Sequence, residues 1–102
     1  VGGGATPEKF VKAFKLISGD PNVRVILINI FAGINRCDWV AQGIVDALNQ
    51  ITIEQPLVIR LAGTNVDQGI KILKDSKIEY TEAFSLEDAA NKAVEALNNL
   101  GN

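Results

Sequence analysis

Most of the chemistry this chain offers lies in ten residues, Asn29-Ile30-Phe31-Ala32-Gly33-Ile34-Asn35-Arg36-Cys37-Asp38. They follow an aliphatic run and lead into an amphipathic one. A strand, a glycine-containing turn and a helix start, in that order, make an anion site. The first N–H groups of a helix have no partner inside it, and the helix dipole favours negative charge there. The sequence contains no histidine, so histidine chemistry at this turn has to come from another polypeptide. Cys37 stands where a helix N-terminus lowers a thiol pKa. Without histidine it lacks the usual general base, and a small packed residue is the better reading. One cysteine and no histidine give little support to a metal site. No residue of the chain is assigned a catalytic role. Asp38 suits a first helical turn by the dipole alone. Arg36 reaches an anion, or pairs with Asp38 or with a partner chain. Trp39 is a core or an interface residue.

These residues need elements to hold them. Thr6-Pro7 reads as an N-cap with proline at the first helical position. Phe10, Val11, Phe14 and Ile17 then share one helical face, and Gly19-Asp20-Pro21-Asn22 stops that helix. Val25 to Ile30 is nearly continuous aliphatic sequence, the pattern of a strand covered on both faces in a parallel sheet. Val40, Ala41, Ile44, Val45 and Leu48 have helical spacing, and Leu57 to Leu61 is a second buried-type strand. Val66, Ile70 and Leu73 mark a third helix, and a short strand is expected near Ile78–Tyr80. Ser85 with Asp88 resembles a capping box opening a last helix. The order α-β-α-β-α-β-α predicts a layered α/β domain with right-handed crossovers. Three strands make a narrow sheet, so an incomplete edge or a further strand beside it is expected. Ligands of such sheets sit at the carboxyl ends of the strands. The turns Gly2–Thr6, Phe31–Arg36 and Ala62–Asn65 fall on that side. Arg60 is expected to reach the same crevice or an ion pair, and Asn65 to cap the next helix.

The 102 residues fit one domain, residues 1–102, with an ordinary hydrophobic fraction of 47%. A net charge of −2 gives no electrostatic case for nucleic acid or an anionic membrane. No apolar run approaches the ~20 residues of a transmembrane helix. The start, Val1-Gly2-Gly3-Gly4, lacks the features of a signal peptide, and methionine is absent throughout, as in an excised piece. The same glycines invite a dinucleotide fingerprint, but its third glycine position is Pro7. A phospho-acceptor receiver domain needs acidic residues at the strand ends, where this chain carries Asn29 and Arg60.

Three strings, Gly2-Gly3-Gly4-Ala5, the run Asn29–Asp38, and Arg60-Leu61-Ala62-Gly63-Thr64-Asn65, stand in order at the three turns. Together they resemble the C-terminal ligase domain of the β subunit of succinyl-CoA synthetase, over the full chain. The resemblance implies a three-layer flavodoxin-like α/β domain, a short parallel sheet flanked by helices. It implies part of an acid–CoA ligase, inactive in isolation, that works with an α subunit carrying a phosphohistidine. Gly33, Ile34 and Asn35 are then the substrate-contacting segment for succinate or a related dicarboxylate at the subunit boundary. Backbone N–H groups of Gly33, Ile34, Asn35 and Arg36 form a phosphate-facing helix N-terminus. No cofactor belongs to this domain. Mg²⁺ and ATP or GTP go with an N-terminal ATP-grasp region absent here, and CoA with the α subunit. The compartment implied is the cytoplasm or the mitochondrial matrix. Ala32 stands where the family has a first glycine, and Ala62 where it commonly has an acidic residue. Malate–CoA ligase β subunits share both motifs and are the alternative. A stand-alone module for a small anion and a purely structural dimerisation domain are the readings without a partner enzyme.

Overall fold

The computed structural model describes residues 7–32 and 36–100. Four helices and three strands alternate: α1 (Pro7–Ser18), β1 (Ile26–Ala32), α2 (Cys37–Gln50), β2 (Leu57–Gly63), α3 (Val66–Asp75), β3 (Thr81–Ala83) and α4 (Leu86–Leu100). The sheet is parallel, in the order β1-β2-β3. Ile26 pairs with Leu57 and Ala32 with Gly63, so the first two strands end together.

Side chains alternate across a strand, and that alternation divides the core. Ile26, Ile28 and Ile30 of β1 and Leu57, Ile59 and Leu61 of β2 bury on one face. Phe10 and Phe14 of α1, Ile44 and Ala41 of α2, and Leu73 of α3 meet them there. The phenylalanines stack with centroids 6.1 Å apart. On the other face Val58 meets Ala83 and Ala89, which places α4 against the sheet. The result is helix, sheet, helix. Among the described residues β1 is an edge strand, and only one of its faces is fully covered. Leu27 is 40% exposed and Phe31 77%, because α4 centres its buried residues over β2 and β3.

One element falls away from where the sequence pattern put it. β3 begins at Thr81, after the run Ile78–Tyr80 rather than within it. The Ser76 hydroxyl donates to Leu73 O at 2.6 Å and accepts from Ile78 N–H at 3.3 Å, and Lys77 takes φ 63°. That turn consumes the apolar residues, so Ile78 and Tyr80 pack on the core from a loop. α4 opens as Ser85 and Asp88 foretell, with one shift. The Ser85 hydroxyl accepts from Asp88 N–H at 3.0 Å, and the Asp88 carboxylate reaches back to Phe84 N–H at 2.9 Å. The short aspartate thus closes on the residue before the cap. Proline opens α1 as expected, while Thr6 lies outside the described residues.

α3 packs closely on the start of α2. A Cβ at Gly69 would lie 2.8 Å from the carbonyl oxygen of Cys37. Glycine costs a helix interior about 1 kcal/mol relative to alanine, so Gly69→Ala would ordinarily stabilise. Here the obstacle is backbone that cannot step aside. Gly69→Ala is expected to lower stability by about 1–3 kcal/mol, the usual cost of overpacking. Urea unfolding measures this as a lowered midpoint at unchanged slope. A raised midpoint would show that the two helices have room to part.

Candidate functional site

The carboxyl ends of β1 and β2 lie side by side, and α2 and α3 start just beyond them. Gly33, Ile34 and Asn35 lie outside the described residues, as do Gly2–Thr6. The structure therefore gives the frame around the candidate segment, beginning at Arg36.

Arg36 is the N-cap of α2, with extended φ −75° and ψ 146° and no capping bond from its side chain. Its Nε donates to Asp38 Oδ1 at 3.1 Å and its Nη2 to Asp38 Oδ2 at 2.8 Å. This is a two-pronged charge-assisted contact. Its guanidinium also lies 4.8 Å from the centre of the Trp39 ring, within cation–π range. Of the roles open to Arg36 in the sequence, the structure selects the pair with Asp38. Trp39 is 60% exposed and so is not core.

Cys37 is fully buried, in agreement with the packed-residue reading. Its N–H donates to Thr64 O at 2.8 Å and its Sγ to Ala62 O at 3.3 Å. The first helical N–H of α2 is thus spent on the β2–α3 turn and is not free for an anion.

Asn65 departs from expectation. It occupies the N-cap of α3 with left-handed φ 58° and ψ 37°, and its side chain makes no capping bond. With its amide oxygen turned to Arg36, it accepts from Nε at 2.6 Å and Nη2 at 3.0 Å. A left-handed N-cap points the amide away from the first turn of its own helix. Gly63 nearby has φ 115°, a region few side chains tolerate.

Arg60 also departs. β2 runs on to Gly63, so Arg60 lies inside the strand and pairs in register with Asn29. Its Nη1 donates to Asn29 Oδ1 at 3.1 Å, and its Nε is buried without a hydrogen-bond partner. Among the described residues it makes no ion pair, and the strand runs two residues past the apolar run, to Gly63.

The site's charge balance follows. Arg36 is offset by Asp38. Burial pushes the Asp38 carboxyl up, but bonds and charge from Arg36, its own backbone N–H and the Asn65 side chain more than reverse this, so it titrates below its ordinary 3.8. The Arg36 charge at this edge is therefore paired rather than free. Among the described residues no group of three or more His, Cys, Asp or Glu is placed to hold a metal ion, and no helix is long and apolar enough to cross a membrane. The exposed aromatic side chains among them are Phe31, near the end of β1, Trp39, in the first turn of α2, and Phe84, just after β3. Aromatic residues are enriched at interfaces. The groove lined by Ser18, Asp20, Arg24 and Gln55 opens at the opposite, amino end of the strands. Gln55 there is engaged by Ser18 O and Val23 O.

A parallel α/β layer whose helices start at the carboxyl ends of the strands has the architecture of a ligand-binding α/β domain. The sequence model of the CoA-ligase family matches residues 1–94, and the chain belongs to that family. It is 53% identical over 97 residues to the succinate–CoA ligase [ADP-forming] subunit beta of Nitrobacter hamburgensis and 54% identical over 97 residues to that of Nitrobacter winogradskyi. It is 51% identical over 96 residues to a protein of Mesorhizobium japonicum named "Probable malate--CoA ligase subunit beta". These matches cover 94–95% of this chain. The chain spans about a quarter of the relatives' length, 24% in each case.

The lowered Asp38 pKa makes a prediction with a definite sign. A carboxyl held below its unfolded value adds stability above that value and loses it as pH falls through the folded one. Asp38→Asn is expected to destabilise the chain at neutral pH. The gap from the parent should close as pH drops below the ordinary 3.8. Urea midpoints measured across the acid range check this. A gap independent of pH would mean that Asp38 acts through packing.

Proposed function

We propose that this chain is the part of a succinate–CoA ligase β subunit that turns a helix N-terminus toward a phosphorylated residue of an α subunit. The reaction interconverts succinyl-CoA, phosphate and nucleoside diphosphate with succinate, CoA and nucleoside triphosphate. The observation that carries the proposal is the start of α2. It stands at the carboxyl edge of the sheet, tied to the neighbouring turn, with its one nearby cation already paired. Backbone N–H groups of Gly33, Ile34, Asn35 and Arg36 would then meet the phosphoryl group in transit. Their dipoles stabilise its charge and neither give nor take a proton. Gly33, Ile34 and Asn35 would contact the dicarboxylate. The absence of histidine in this chain fits a phosphohistidine on the α subunit. The exposed aromatics at the same edge fit a docking face for it. On this reading nucleotide and Mg²⁺ belong to the rest of the β subunit, CoA to the α subunit, and the enzyme to the cytoplasm or the mitochondrial matrix.

Malate is the second reading. The Mesorhizobium relative, 51% identical, carries that name, and the Asn35 amide is a suitable partner for a substrate hydroxyl. Succinate is placed first because two of the relatives quoted above are named for it.

The test is made in the complete β subunit assembled with its α subunit. Gly33→Val and Asn35→Asp are each expected to slow phosphoryl transfer about 100-fold or more, the scale of a lost oxyanion donor. Assembly, followed by size-exclusion chromatography, should be unchanged. Near-normal turnover in both variants would overturn the proposal.

A further inference from the structure

We propose that the open face of β1 beside α4 is a docking site for an amphipathic helix of the same polypeptide, from the part of the β subunit outside residues 1–102. That helix brings a carboxylate to Arg60. The proposal rests on the reading of the chain as one portion of a longer β subunit. Ile26, Ile28 and Ile30 are buried on the side of α1, α2 and α3, so Leu27, Asn29 and Phe31 point to the α4 side. On that side Val58 is covered by Ala83 and Ala89. Leu27 and Phe31 are exposed. A parallel sheet ordinarily carries helices over both faces, and here the cover stops short of β1.

The flanks of α4 locate the uncovered strip. Ala89 meets the sheet. Lys92 Nζ donates to Glu82 O at 2.6 Å, and Lys92, Glu95 and Asn99 line a cleft with Thr81 of β3. That flank therefore leans over β3, and the strand order β1-β2-β3 puts the opposite flank on the β1 side. At about 3.6 residues per turn, Leu86, Val94 and Leu97 rotate to the opposite flank. All three are exposed. Two apolar walls result, one from the strand and one from the helix.

Arg60 lies in the floor between them, on the same face of β2 as Val58 and in register with Asn29. Its Nη1 donates to Asn29 Oδ1 at 3.1 Å, and its Nε is buried without a partner. Among the described residues it makes no ion pair. A guanidinium has several donors and stays charged, and a buried charge left uncompensated is costly. None of the side chains named on the two walls is a carboxylate. The missing acceptor comes with whatever covers the floor.

Three features choose the occupant. Apolar walls around one cation fit a helix with an apolar stripe and an acidic residue on it. A second copy seated on the same patch would turn Arg60 toward its own counterpart, because an isologous contact repeats the patch on itself. β1 has no neighbour on its outer side among the described residues, and parallel strands are joined by crossover helices of their own chain. The chain spans 24% of the length of its relatives, which leaves most of a β subunit to supply that helix.

The experiment uses the complete enzyme, assembled from α subunits and a mixture of unlabelled and ¹⁵N-labelled β subunits. A photo-crosslinking benzoylphenylalanine is placed at Val94, on the rim of the strip, and captured peptides are identified by mass spectrometry. Capture of a β-subunit peptide from outside residues 1–102, with an aspartate or glutamate in it and no mixed-isotope product, is expected. Capture of an α-subunit peptide, of a mixed-isotope pair of β subunits, or of nothing would overturn the proposal. Arg60→Glu is expected to lower the melting temperature by about 5 °C or more, the scale of a buried charge facing its like. Arginine in place of the acidic residue of the captured helix should recover most of that loss. Failure to recover would overturn the pairing with Arg60. Turnover of Gly33→Val in the same enzyme separates the two readings. If it is slowed and Val94 captures nothing, only the docking proposal fails. If it is normal and the β-subunit helix is captured, only the phosphoryl-transfer reading fails.

Discussion

The structure turns on the seam between the first turn of α2 and the β2–α3 connection. Cys37 is its centre. Its N–H goes to Thr64 O, its Sγ to Ala62 O, and its own carbonyl lies against the open side of Gly69. A helix beginning has orphan donors that must be satisfied, and here a neighbouring turn satisfies one of them instead of a capping side chain. That choice frees the N-cap position for Arg36. It also brings α2 and α3 together at the point where both leave the sheet. A bulkier residue at Cys37 or Gly69 would part them and move every group at that edge.

The electrostatics follow from the same seam. At the carboxyl edge Arg36 is offset by Asp38 and lies against Trp39, so its charge is already engaged. A transferring phosphoryl group gains most from dipoles that are already oriented. A mobile cation would have to be drawn from water and reorganised at each turnover. The edge is instead assembled in advance from backbone and paired side chains. Phe31, Trp39 and Phe84 are exposed, and aromatic residues are enriched at interfaces.

Much of this was open to reading in the chain. Element order, the parallel sheet and the two faces of its core follow from hydrophobic spacing, which is a local property of each segment. The Ser85–Asp88 cap was legible because capping is settled within four residues. Burial of Cys37 was legible from residue type. The misplaced features share a different cause. β3 shifted because a turn after α3 claimed Ile78 and Tyr80. Arg60 fell inside its strand because pairing of Ala62 and Gly63 with Phe31 and Ala32 carried β2 past the apolar run. Asn65 gave up capping because its left-handed backbone turned the amide toward a residue 29 positions earlier.

The sequence by itself determined the α/β class, the family, and the turn where chemistry is to be sought. Those depend on spacing and on short strings at fixed offsets, which survive without knowledge of neighbours. Only the tertiary structure decided what Arg36, Asn65 and Arg60 do. A long cation or an amide has several satisfactory partners within reach, and which one it takes depends on which turns the packing of α2 against α3 brings together. Where partners are distant in sequence, the choice among them is a property of the packed chain.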